Sequence, residues 1–158
     1  MFAGCGFRPR GSLTELSDPG AIFIDVSRGV TLRTELQAAL RERSFRVAQN
    51  RDAADILLRV SEEEQNERIV SIQSSGVVSE IELSHSVNVQ LAQRELDEAP
   101  VYDSDQPANR VEVFREYTND TLQVLGKQLE AQILREEMRE ELVRQVVLRA
   151  VATLVDRS

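Results

Sequence analysis

The sequence has no tryptophan, one cysteine, one histidine and one lysine, and aromatic residues make up only 4% of its 158 positions. A single cysteine excludes an intramolecular disulfide and any cysteine-rich zinc site. A single histidine, His85, leaves no H-E-x-x-H pair, and neither a Walker loop nor a G-x-S-x-G elbow occurs. Nucleophilic catalysis needs a nucleophile, a base and a group that orients the base. His85 instead falls in line with Leu83 and Val87 on the apolar side of an alternating segment, where a structural histidine is expected. Asp103 and Asp105 lack the ladder of further oxygen ligands that calcium takes. These absences disfavour an enzyme, and no cofactor or metal is expected. No apolar run approaches the roughly 20 residues of a spanning helix. Acidic residues outnumber basic ones, 27 to 19, for a net charge of −8. That speaks against nucleic-acid binding, which needs a basic face.

What is present points to one domain built on Val, Ile, Leu and Ala, at a length suited to one core. Cys5 stands in Phe2-Ala3-Gly4-Cys5-Gly6. Small side chains directly before a near-terminal cysteine are what lipoprotein processing requires, and the thiol is the point of lipid attachment. Chain termini are rarely packed, so a core role for Cys5 is disfavoured. Only four residues precede it, so the basic and apolar stretches of an export signal are expected upstream of this start. Residues 1–20 then read as a lipidated segment and tether, and 21–158 as the domain. Lys127 is the one lysine; the other basic residues are arginine, whose planar fork suits phosphate.

The periodicity of the domain is legible. Ala21–Val26 is a short β-branched run, a buried strand. Val30–Arg43 switches to helical spacing, with Leu32, Leu36, Ala39 and Leu40 on one face. Phe45-Arg46-Val47 is a candidate short strand. Ala54–Glu64 reads as a strand in which Leu57 breaks strict alternation. Gln65-Asn66, flanked by Glu62, Glu63, Glu64 and Glu67, reads as a charged hairpin tip that blocks edge aggregation. Arg68–Ile72 follows, then a Ser74-Ser75-Gly76 break. Val77–Leu91 is the clearest strand: Ile81, Leu83, Val87, Val89 and Leu91 share one face, and Glu80, Glu82, Ser84, Ser86, Asn88 and Gln90 the other. Residues 95–109 form an acidic, proline-containing connection, and Arg110–Tyr117 a further strand. Asn119 or Asp120 is placed to cap a helix running to about Val155. Its apolar stripe includes Leu122, Leu125, Leu129, Ile133, Leu134, Met138, Leu142, Val146 and Ala150. Its Arg135, Arg139 and Arg144 are expected to pair along the helix with the nearby glutamates. The predicted class is α+β: a small, mainly antiparallel (mixed) sheet of about four strands, with two helices packed on one face and room for one parallel pairing.

Two stretches carry a family resemblance. Cys5-Gly6-Phe7-Arg8-Pro9-Arg10-Gly11 resembles the mature start of the LptE family of lipopolysaccharide-assembly outer-membrane lipoproteins. Arg115-Glu116-Tyr117-Thr118-Asn119-Asp120, with Leu125, Lys127, Glu130, Leu134, Glu137-Met138 and Val146-Val147-Leu148-Arg149, is similar to that family's last strand and C-terminal helix. The resemblance implies a non-enzymatic protein anchored through Cys5 at the periplasmic face of the outer membrane. It implies a one-to-one partner, the LptD β-barrel, which such a protein plugs and helps to fold, and binding of lipopolysaccharide. Contact with phosphate would fall to arginine; Arg59, Arg94, Arg110 and Arg115 are singled out by charge and position beside strands. The alternative is a free-standing periplasmic lipid or glycolipid carrier with an apolar cavity.

Overall fold

The computed structural model describes residues 20–74, 76, 78–94, 102, 108–118 and 124–155. Cys5, the rest of the 1–19 segment, most of the acidic connection, Asn119, Asp120 and Leu122 lie outside the described residues, as does the side chain of Leu125. The elements are β1 (Ala21–Val26), α1 (Arg33–Glu42), β2 (Arg46–Val47), β3 (Ile56–Ile72), β4 (Val78–Gln93), β5 (Asn109–Thr118) and α2 (Val124–Val155). The strands form one sheet in the order β2-β1-β3-β4-β5. β1 runs parallel to β2 and to β3, while β3–β4 and β4–β5 are antiparallel. The α+β architecture is therefore the expected one, with five strands where about four were predicted. Two parallel pairings replace one, because β2 is long enough to join the outer edge of β1.

Chain entry is set by Gly20, at φ +84°, where a Cβ would lie 2.6 Å from the Cβ of Asp55. That closeness lets the Asp55 carboxylate accept the Ala21 N–H at 2.8 Å. α1 begins at Arg33 rather than near Val30, because Val30 N–H closes a turn onto Ser27 O. Its predicted stripe holds: Leu32, Leu36 and Leu40 are fully buried. They pack with Ile22 and Ile24 of β1, Ile56, Leu58 and Val60 of β3, Val87 of β4, Val111 of β5, and Met138, Leu142 and Val146 of α2. Each such side chain contributes about 1.5–3 kcal/mol when removed from water. Leu57 breaks alternation because the opposite face is covered there too, by Phe23, Ala48, Ala92 and Tyr102.

The largest correction is in β3. No turn occurs at Gln65-Asn66; the strand continues to Ile72, and the hairpin turns beyond it, where Gly76 N–H closes onto Gln73 O at 2.8 Å. The register steps from Ser61↔Asn88 to Glu64↔Ser86, three residues against two, which is a bulge. Within it, Glu62 adopts φ +52°. The extra residue swaps the faces. Ile56, Leu58 and Val60 face the helices before it; Gln65, Glu67 and Ile69, opposite His85, Leu83 and Ile81, face that side after it. Period-2 alternation therefore fails at the bulge, and the glutamates around it resemble a turn.

In α2 the stripe holds at Met138, Leu142, Val146 and Ala150, while Leu129 and Ile133 are 58% and 52% exposed. Ala131, Val143 and Val147 take buried positions instead. A straight helix at 3.6 residues per turn drifts around its axis, so no single stripe serves 32 residues.

Candidate functional site

The bulge aims Glu63 into the space between sheet and helices. Its carboxylate lies 3.0 Å from Nε2 of His85. The two side chains are 6% and 2% exposed. Thr31 donates to Glu63 through its backbone N–H (2.6 Å) and its hydroxyl (3.1 Å). Arg139 on α2 reaches Thr31 Oγ1 (2.9 Å), Thr31 O (3.0 Å) and Glu35 Oε1 of α1 (2.6 Å), with Glu63 Oε1 at 3.8 Å. One guanidinium thus ties α1, α2, the loop before α1 and the β3 bulge together. Burial, the largest single influence, would raise the Glu35 carboxyl, but the hydrogen bonds from Arg139, the bond from its own backbone N–H and the Arg139 charge together outweigh it and hold the group below its ordinary value. His85 is a core histidine bound to a carboxylate, as its place on the apolar face predicted. Arg139 does not pair along its helix as expected, and Arg135 bonds Glu67 of β3 at 2.9 Å; Arg144 does bond Glu141. A long helix lying on a sheet presents one side to strand carboxylates, and these compete with i,i+4 partners.

The four singled-out arginines sit in four different settings. Arg59 reaches Asp25 at 3.4 Å and places its guanidinium 3.8 Å from the ring centroid of Tyr102. Arg51 lies 5.6 Å from the same centroid. Burial pushes the Tyr102 phenol up, and the Asp25 carboxylate adds to the shift. Arg94 donates to Asp52 O (2.7 Å) and Ala54 O (2.8 Å), staying 3.9 Å from Asp55. Arg110 bonds Glu64 (3.0 Å) and Glu112 (3.4 Å). Arg115 donates to Phe114 O at 2.8 Å, and no carboxylate among the described residues pairs with it.

Arg110 and Arg59 belong to the sheet face turned away from the helices. There Arg68–Glu82 (2.9 Å) and Arg110–Glu64 (3.0 Å) form cross-strand pairs, and Asn88 donates to Glu62. The polar side of β4 lies on this face as predicted, although Ser86 is buried. The hollows beside these elements mix charged and apolar side chains. One of about 180 Å³ holds His85, Arg135, Glu67 and Gln65 around Leu83 and Met138; one of about 530 Å³ between the helices holds Glu35, Glu42, Glu136, Glu140 and Arg139. No helix among the described residues is long and apolar enough to cross a membrane. Sequence reasoning missed the Glu63 cluster and the Tyr102 contact. The signal for the first was three consecutive glutamates beside a strand bearing the one histidine. For the second there was none, since nothing local tells where residue 102 lands.

Comparison with known proteins agrees with this architecture. The family model LptE, described as lipopolysaccharide-assembly, matches residues 20–150. The LPS-assembly lipoprotein LptE of Yersinia enterocolitica is 30% identical over 147 residues, 92% of this chain and 67% of that protein. Its counterpart in Yersinia pestis is 29% identical over the same shares. Among solved structures, lipoprotein B of Nitrosomonas europaea superposes with a TM-score of 0.74 at 23% identity, covering 96% of this chain and 94% of that one. The rare lipoprotein B of Shewanella oneidensis gives 0.67 at 21% identity, covering 86% and 97%. The chain belongs to the LptE family of lipopolysaccharide-assembly lipoproteins, a family of assembly proteins and not of enzymes.

Proposed function

We propose that this chain plugs and helps assemble an LptD-type β-barrel, one to one, for lipopolysaccharide transport and insertion at the outer membrane. In this reading Cys5 carries the lipid anchor on the periplasmic face, residues 1–20 are the tether, and 21–158 form the plug. The observation that carries it is the family match over residues 20–150. The ion-paired sheet face supports it physically: a barrel lumen is polar, so a plug needs charge and hydrogen-bonding groups on its outer surface rather than an apolar patch. Arg59, Arg94, Arg110 and Arg115 are the proposed contacts to phosphate or to the barrel. Arg115 has the most capacity to spare, since its described bond is to a backbone carbonyl.

The test is a pull-down of the natively processed protein from Gram-negative outer membranes. A large β-barrel recovered in one-to-one ratio is the expected result. Recovery of lipid with no barrel would overturn the plug and favour the carrier.

A further inference from the structure

The outer edge of β5 presents peptide groups that no strand among the described residues pairs with, and the ladder fixes their direction. Val60 C=O accepts Ser27 N–H at 3.0 Å, so the even residues at the start of β3 turn their peptide groups toward β1 and the odd ones toward β4. Their partners Asn88, Gln90 and Ala92 therefore turn toward β3, and the odd residues of β4 turn toward β5. On β5 the odd residues Val111, Val113 and Arg115 close that ladder. Arg110, Glu112, Phe114 and Glu116 are left with N–H and C=O pointing outward, where no strand among the described residues pairs with them. Two guanidiniums confirm the direction: Arg149 donates to Arg110 O at 2.9 Å, and Arg115 to Phe114 O at 2.8 Å.

We propose that this edge is a self-association surface, taking the β5 strand of a second copy of the chain in antiparallel pairing. Charge favours a second copy as occupant and decides among the registers centred on Glu112, Val113 and Phe114. Pairing centred on Phe114 would set Glu112 against Glu116 of the second copy, and pairing centred on Glu112 would set that residue against itself. Pairing centred on Val113 places Arg110 opposite Glu116 and Glu112 opposite Phe114, each twice by symmetry, with no like charges directly opposed. In that register the outward peptide groups of Arg110 and Glu116 exchange hydrogen bonds, as do those of Glu112 and Phe114. The two arginine caps need not leave, because each carbonyl has a second lone pair. Phe114, 49% exposed, gains cover from the neighbouring strand. The inference concerns the free chain and does not depend on the barrel contact.

Sedimentation of the full chain from micromolar to millimolar concentration tests it, with amide exchange read at Glu112, Phe114 and Glu116. A reversible dimer with concentration-dependent protection at those amides is expected. Glu116→Pro removes an outward N–H and no ladder bond, so the melting temperature should hold. Self-association should weaken at least about tenfold in that variant and in E116R, and recover in R110E/E116R. A chain that stays monomeric throughout overturns the proposal, as does a dimer unchanged by Glu116→Pro or an R110E/E116R chain that fails to recover. If Glu116→Pro lowers the melting temperature, the charge-swap pair decides.

Discussion

The two halves of β3 belong to one strand and one hairpin, yet they differ in burial. Ile56, Leu57, Leu58 and Val60 are all 2% exposed or less, on both faces of the sheet. Beyond the bulge, Ile69, Val70 and Ile72 are 43–61% exposed. Residue type does not explain this, since both halves carry β-branched and aliphatic side chains. Coverage does: β1 pairs only with the first half, which lies under the helices and, on its far side, under Tyr102. The boundary is the bulge, and the Glu63 cluster locks it. A hydrophobic residue in this chain is therefore core or surface according to what tertiary neighbour reaches it.

The strongest way to break the contrast is at the boundary. Glu63→Ala should cost about 3–5 kcal/mol, since it strips the acceptor from His85 Nε2 and from the N–H and hydroxyl of Thr31, at about 1–3 kcal/mol for each buried group left unpaired; chemical denaturation reads this directly. Leu58→Ala should cost about 2–5 kcal/mol through the cavity it leaves. Glu62→Val should cost about 1–2 kcal/mol, because a β-branched residue resists φ +52°, whereas Glu62→Gly should change little. Ile72→Ser should stay within about 0.5 kcal/mol, showing that the distal half lies outside the core.

An acid titration sharpens the same boundary. The Glu35 carboxyl is held below its ordinary value of 4.5, so its stabilising contribution is complete above that value and is lost as pH falls through the lower, folded one. Arg139→Met should therefore flatten the acid limb of stability below about pH 4.5 relative to the parent chain. An unchanged acid limb would show that the Arg139 contacts are not what holds Glu35 down.

Legibility followed the same divide. The strand at Ala21–Val26, the α1 stripe and the alternation of β4 were readable because each buries one face at a regular period. Reading failed at Glu62–Asn66, where one inserted residue reverses which side chains face inward. It failed again at Leu129 and Ile133, where the drift of a straight helix turns these positions outward and buries Ala131 between them instead. The arginines could be named as charged and close to strands. Their partners could not, because Asp25, Glu64 and Tyr102 lie far from them in sequence and come within reach only when the sheet assembles.

By itself the sequence determined the α+β class, the two helices, the polar side of β4, the core place of His85 and the family resemblance, all of which rest on local period or contiguous motif. The tertiary structure alone decided the continuity of β3, the aim of Glu63, the reach of Arg139 and which half of the hairpin is core. These depend on contacts between residues far apart in the chain, whose energies no local pattern encodes.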